Sequence, residues 1–274
     1  MVVPIKNYIE LGAKILQHGI KENSRVGPTL ALHNQMLSFD LTAGFPLMTT
    51  KHVGPKSIIT ETLWYLKGTT SIEYLEKNKV FVWSKFADKN KDIGKTYSYQ
   101  FRNFYGVDQV KDTIYRLTKN DDKQYTDRRA IINLYNVGEL NEMSIPPCIG
   151  LLQFNVYWDQ DGQKYLDATI YQRSADFCLG VPYDIAEMAL LTSIIAGYTD
   201  AIPKNLTFFY SNIHIYECHI ETLKEQLKNK PLELPKLEID IPKLKSLEPE
   251  DLTPDLFTII GVQKDRKKYY FELL

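Results

Sequence analysis

Residues 182–198, PYDIAEMALLTSIIAGY, constrain the fold more than any other stretch. Pro182 suits a first helical position and Asp184 a first turn, so the spacing predicts a helix here. That helix is apolar nearly all round. A helix without a polar face must be covered on every side. A chain of 274 residues is long enough to bury such a core.

The remaining pattern shows what covers it. Residues 130–136, 149–157, 165–172 and 205–216 are rich in β-branched and aromatic types and are predicted strands. Residues 29–42 alternate around an Asn and are predicted to form a hairpin. Helices are predicted over 4–20, 55–78, 107–118 and 217–228. Beyond Lys230 the chain is rich in Pro, Lys and Glu, with short strand-like runs. No repeat or linker interrupts the pattern. The expectation is an α+β fold, a mixed β-sheet backed by helices, in one domain over residues 1–274.

The charge balance, 33 basic against 34 acidic residues, argues against a surface that coats nucleic acid. It leaves room for a few arginines around a small anion. No segment reaches about 18 consecutive apolar residues, so no membrane span is expected. The amino-terminal stretch lacks the layout of a signal peptide. Three cysteines, Cys148, Cys178 and Cys218, fit a reducing compartment. A cytoplasmic protein is expected.

Four segments carry candidate chemistry. In Pro146-Pro147-Cys148 two prolines fix the backbone before a cysteine that opens a strand. A cysteine held in this way can be aimed at a substrate, although a buried cysteine is more often a small hydrophobe. Tyr171-Gln172-Arg173-Ser174-Ala175-Asp176 and Leu179-Gly180-Val181-Pro182-Tyr183-Asp184 bring charged groups to the start of the apolar helix. Those groups need pairing, by a ligand or by a capping network. Arg25, Arg128 and Arg129 add cations whose planar forks suit phosphate; on a strand, the adjacent Arg128 and Arg129 would face opposite ways. His214 and Tyr216, two apart on a predicted strand, share a face. A metal site from His214, Cys218 and His219 can be drawn, but CxxC and HExxH spacings are missing and no metal is expected.

These segments resemble the thymidylate synthase family from roughly residue 5 to 261. The matching stretches are Gly44-Phe45-Pro46-Leu47-Met48-Thr49-Thr50-Lys51, Glu61-Thr62-Leu63-Trp64-Tyr65-Leu66-Lys67-Gly68, Asn136-Val137-Gly138-Glu139-Leu140, Pro146-Pro147-Cys148, Gln153-Phe154, Tyr171 to Asp176, Leu179-Gly180-Val181-Pro182 and Ala189-Leu190-Leu191. The resemblance implies that Cys148 is the thiolate that adds to C6 of a pyrimidine. It implies that Arg25, Arg173 and Ser174 bind the 5′-phosphate, with Arg128 and Arg129 supplied by the partner of a homodimer that meets through its sheets. His214 and Tyr216 would bind the sugar. Asp176 would contact folate or base, Gly180 and Trp83 would line the folate side, and Glu61 would organise proton transfer. The co-substrate implied is 5,10-methylenetetrahydrofolate. Arg173 beside Cys148 is expected to lower the thiol pKa.

Where the chain departs from that family is informative. Asp184 stands where thymidylate synthases carry an Asn that reads uracil. A carboxyl group suits the cytosine 4-amino donor and, when protonated, the N3 acceptor, which points to dCMP. Relatives with Asp at this position include deoxycytidylate hydroxymethylases. Ile149 replaces a histidine after the cysteine. Residues 97–102 read Tyr97-Ser98-Tyr99-Gln100-Phe101-Arg102 in place of the usual Tyr-Gly before Gln-Trp-Arg. The tail, Gly261-Val262-Gln263-Lys264-Asp265-Arg266 and onward to Leu274, also differs. A looser tail would admit water and yield a hydroxymethyl product. Methyl transfer to dCMP or dUMP, a CMP substrate, and a nucleotide-binding relative without turnover are the competing readings.

Overall fold

The computed structural model describes residues 4–119, 121, 125–263 and 266–272. The first half of the chain runs α1 (Pro4–His18), β1 (Ile20–Ser24), β2 (Gly27–Asp40), α2 (Pro55–Tyr65), α3 (Glu73–Lys77), α4 (Tyr97–Arg102) and α5 (Gln109–Thr118). Then come β3 (Ile131–Asn133), β4 (Ile149–Trp158), β5 (Lys164–Gln172), β6 (Ala175–Asp176), α6 (Gly180–Tyr198) and β7 (Ile202–Tyr216). The last elements are α7 (Ile220–Leu227), β8 (Lys236–Ile239), α8 (Ile241–Lys245) and β9 (Phe257–Ile260).

The main sheet has the order β1-β2-β7-β5-β4-β3, with β6 beside β7. β7 runs parallel to β5 and β6, and the other pairs are antiparallel. The sheet is therefore mixed, as expected for an α+β fold. α6 lies in the crossover that a parallel pair requires. Every residue of α6 from Ile185 to Gly197 is buried, which is how a helix with no polar face is accommodated. Leu37, Phe39, Leu152, Phe154, Leu166, Ile170, Phe208 and Tyr210 alternate along their strands and are buried with it. The opposite sheet face leaves Met36, Tyr171 and Phe209 exposed. These three are register neighbours on β2, β5 and β7. Among the described residues, no helix is long and apolar enough to cross a membrane.

Several expectations need correction. Residues 29–42 form no hairpin: β2 runs unbroken through Asn34, with His33 opposite Asn212 and Gln35 opposite Tyr210. Asn34 takes the left-handed conformation, φ 53°, that makes Asn a turn former. Pairing with β7 immediately before and after Asn34 overrides that local preference. The actual hairpin is β1–β2, where the Ser24 hydroxyl accepts from the Val26 and Gly27 amides. The helix expected over 55–78 breaks into α2 and α3 around Gly68, whose φ of 69° suits glycine. The strand expected over 130–136 shortens to β3. Arg128 and Arg129 lie in the turn before it, not on a strand. α6 begins at Gly180, which places Asp184 beyond its first turn.

Candidate active site

Cys148 sits at the edge of β4 with its main chain tied from two directions. Its N–H donates to the Tyr97 hydroxyl on α4 at 2.6 Å. Its carbonyl accepts from the Arg173 N–H at 2.9 Å. The Arg173 side chain then turns back on the same segment: Nε donates to the Pro147 carbonyl and Nη2 to the Pro146 carbonyl, both at 2.9 Å. Nη2 also lies 3.9 Å from the Cys148 sulfur. Arg173 lowers the thiol pKa as expected, but it is not the largest influence. Burial is the largest influence and pushes the thiol up; the Arg173 charge opposes it without cancelling it, and the Asp184 charge adds to the rise.

Next to the thiol lie three carboxyl groups in apolar surroundings. Asp184, on α6, accepts at Oδ2 from Gln172 Nε2 at 2.8 Å. Burial pushes its pKa up to about 7; the Gln172 hydrogen bond opposes the shift, and the Glu61 and Asp176 charges reinforce it. Glu61, on α2, accepts at Oε1 from Trp83 Nε1 at 2.7 Å and from the Tyr65 hydroxyl at 3.1 Å. Burial raises it despite those two donors. Glu187, one turn beyond Asp184, is 1% exposed. Its Oε2 lies 3.0 Å from the same Tyr65 hydroxyl, and burial followed by the Glu61 charge holds it well above the usual carboxylate range. Sequence reasoning passed over Glu187, Tyr65, Tyr97 and the hydrogen-bonding role of Gln172. Glu187 did leave a signal, a second carboxylate, after Asp184, inside an otherwise apolar helix. The two tyrosines left none.

β6 and β7 carry the next group. Asp176 and His214 are register partners across the parallel pair. Asp176 Oδ1 accepts from the Cys178 and Leu179 amides at 2.9 and 3.1 Å, anchoring the start of α6. His214 Nδ1 lies 2.8 Å from Asn212 Oδ1, and burial lowers the pKa of the ring. Tyr216 packs edge-on against it at 5.2 Å, so the two do share a face. Ser174 is half-buried, and its carbonyl accepts from Gln172 Nε2 at 3.2 Å. Gly180 opens α6; a Cβ there would meet Asp184 Oδ2 at 3.5 Å, an ordinary contact.

The arginines divide into two groups. Arg25 is exposed in the β1–β2 turn, and its charge is felt at Tyr216 together with that of Cys148. Arg128 and Arg129 are exposed at the far edge of the sheet, level with Gln153, which donates to the Arg128 carbonyl. Five residues of β4 separate that level from Cys148, roughly 16 Å at about 3.3 Å per residue. Arg129 is paired with Asp127 at 2.9 Å. Neither residue reaches the Cys148 site of its own chain.

The metal group drawn from His214, Cys218 and His219 does not assemble. Among the described residues, ligand atoms of Asp176, Cys178 and His219 do approach within 4.8 Å of one another. Lys51 Nζ donates to the Cys178 carbonyl there at 2.5 Å, and burial raises the Cys178 thiol. A neutral thiol beside an amine suits a hydrogen-bonded core better than a cation. The tail packs on this cluster, with Phe271 against His219 at 5.3 Å and the Glu272 carbonyl 3.1 Å from His219 Nε2. Lys264, Asp265 and the terminal Leu273 and Leu274 lie outside the described residues.

For a folate, the donor and acceptor set is suitable. Asp176 uses only Oδ1 in protein hydrogen bonds among the described residues, which leaves Oδ2 for an N–H-rich heterocycle. Trp83 is buried among Trp64, Phe86 and Tyr97. Its N–H is committed to Glu61, so its ring offers surface rather than a donor.

A cysteine next to an arginine, with a buried carboxyl group whose charge is felt at the thiol, is equipment suited to covalent activation of a ring carbon. The family model described as thymidylate synthase matches residues 6–269. The chain therefore belongs to the thymidylate synthase family, whose members transfer a one-carbon unit from methylenetetrahydrofolate to C5 of a pyrimidine nucleotide.

Proposed function

We propose that the chain is a deoxycytidylate 5-hydroxymethyltransferase. The observation that carries this reading is Asp184: a carboxyl group beside the nucleophile, fixed by Gln172, with a pKa pushed up to about 7. At that pKa the group can hold a proton near neutrality. A protonated carboxyl donates to cytosine N3 while its other oxygen accepts from the 4-amino group. Cytosine N3 can take the proton, and the positive charge it gains makes C6 a better electrophile. Uracil N3 already carries hydrogen and gains nothing in this way.

In this reading the Cys148 thiolate forms the S–C6 bond and the electron pair moves to C5. Methylenetetrahydrofolate supplies the one-carbon unit that C5 attacks. Glu61 takes the C5 proton, and the electron pair it leaves forms an exocyclic C5=CH2 bond as the bond from that carbon to the folate nitrogen breaks and tetrahydrofolate departs. Water adds to the exocyclic carbon as the S–C6 bond breaks, which regenerates the thiolate and leaves a hydroxymethyl group. The altered tail and Ile149, in place of a polar neighbour of the cysteine, support water over hydride as the final partner. Arg25, Arg173 and Ser174 hold the phosphate, and His214 and Tyr216 the sugar. Asp176, Gly180 and Trp83 serve the folate side.

The reading takes residues 1–274 as one catalytic domain in a reducing cytoplasm, where its three cysteines stay free. It also includes a homodimer. The exposed row Met36–Phe209–Tyr171 gives the open sheet face an apolar stripe that a second copy would cover. Such a pairing would carry Arg128 and Arg129 to the partner's phosphate site, which they cannot reach at home.

The deciding experiment is a mass-resolved product assay with dCMP and dUMP in competition, supplied with 5,10-methylenetetrahydrofolate. Hydroxymethyl product from dCMP alone supports the proposal. Methyl product with release of dihydrofolate, from either nucleotide, overturns it in favour of a methylating enzyme.

A further inference from the structure

Glu187 has no role in the chemistry described so far, yet it is the most deeply buried acid near it. The Tyr65 hydroxyl stands between two carboxyl groups, 3.1 Å from Glu61 Oε1 and 3.0 Å from Glu187 Oε2. A phenol has one hydrogen to give. If both acids were ionised, one of those contacts would oppose two acceptors. One acid must therefore be protonated, to donate to the tyrosine oxygen or to the facing carboxyl group, with which it is also in hydrogen-bonding contact.

The surroundings identify which. Glu61 Oε1 already receives the Trp83 N–H at 2.7 Å, and a donor at that distance favours an ionised acceptor. Glu187 receives no such help. Its Oε1 is buried without a hydrogen-bond partner, as the carbonyl oxygen of a neutral acid tolerates and a carboxylate does not. Among the described residues it has no ion pair. The titratable groups facing it are Glu61 and Tyr65 on α2, Tyr183 and Asp184 on α6, with Tyr97 on α4 behind Tyr65. None of these is a cation. An unpaired anion at 1% exposure would be costly.

The geometry points to Glu187 as a positioning residue: a permanently neutral carboxylic acid whose O–H engages the Tyr65 oxygen, turns the Tyr65 hydrogen onto Glu61, and so keeps Glu61 ionised as the base. This rests on the reading of Glu61 as the proton acceptor in one-carbon transfer. No proton leaves Glu187 during turnover; its hydrogen bond only fixes which way the phenol points.

Two measurements test it. Infrared difference spectra of the free enzyme, recorded above the Asp184 pKa of about 7, should show the carbonyl band of a protonated carboxylic acid. That band should vanish in Glu187→Gln and persist in Glu61→Gln. A spectrum of Glu187→Gln identical to wild type overturns the inference, and this holds whatever the substrate proves to be. The second measurement is the pH profile of C5 hydrogen release from the nucleotide. Glu187→Gln keeps a donor for Tyr65 and should leave the acid limb in place. Tyr65→Phe removes the relay and should lower kcat roughly ten- to a hundredfold with KM little changed, and move the acid limb to higher pH. A limb that moves to lower pH in Glu187→Gln would mean that an anion had been removed, and would overturn the assignment.

Discussion

Gln172 at the end of β5 holds Asp184 on α6, its Nε2 donating to Oδ2 across 2.8 Å. One oxygen of the acid is thereby fixed, and in the proposed reading the other meets the base. Replacing Asp184 with Asn substitutes a fixed amide for a proton that can be given away. The expected result is a reversal of preference: dCMP kcat/KM should fall and dUMP kcat/KM should rise. One mispaired buried contact is worth about 1–3 kcal/mol, so the ratio should move by roughly ten- to a hundredfold. Competition kinetics measure that ratio directly.

The same carboxyl group ties stability to pH. Its pKa is about 7 in the folded protein against 3.8 for an ordinary aspartate, so the folded state binds the proton more tightly. Its contribution is fully present below the unfolded value and is lost as pH rises through the folded one. Asp184→Asn, which cannot ionise, should therefore melt higher than wild type at and above neutral pH. Near the unfolded pKa the two should converge. With each pKa unit worth about 1.4 kcal/mol, discounted for partial exposure of the side chain, the gap should be of the order of 2 kcal/mol. Thermal melts across pH give its sign and size.

Arg173 opposes burial at the Cys148 thiol. Removing the charge with Arg173→Gln should raise the thiol pKa further and shrink the thiolate fraction at a given pH. Alkylation by iodoacetamide should slow, with its midpoint shifted to higher pH. An unchanged profile would mean that the 3.9 Å contact has no electrostatic weight.

In the proposed dimer, a site completed by the partner's arginines would allow complementation. Cys148→Ser homodimers and Arg129→Ala homodimers should each be poor catalysts. Subunit exchange between them creates heterodimers in which one of the two sites has both its cysteine and its visiting arginine. Activity should return on mixing. Phe209→Glu on the open sheet face should abolish both the recovery and the dimer, as read by analytical ultracentrifugation.

Much of the fold was legible because periodicity reports burial. α6 showed itself by lacking a polar face, and β4, β5 and β7 by their β-branched and aromatic runs. Asn34 misled because a local turn preference was outweighed by pairing with β7 on either side of it along the strand. The break at Gly68 was hidden by apolar residues that keep helical spacing through α2. In the site, residues whose types announce chemistry, such as Cys148 and Arg173, could be picked out. Tyr65 and Tyr97 could not, because a tyrosine supplying a hydroxyl in the core looks in sequence like any other aromatic. The lowering effect of Arg173 on the thiol could be read from letters, but the larger rise from desolvation could not, because it needs the surrounding volume.

The Cys148 main chain is moored to α4 through Tyr97, and the two prolines ahead of it are gripped by a side chain rooted beyond the end of β5. No private hinge serves the nucleophile; to loosen it, elements on both sides of the core must part. On heating, the enzyme should thus stay competent until the whole molecule gives way, its loss of activity tracing the same curve as its loss of shape.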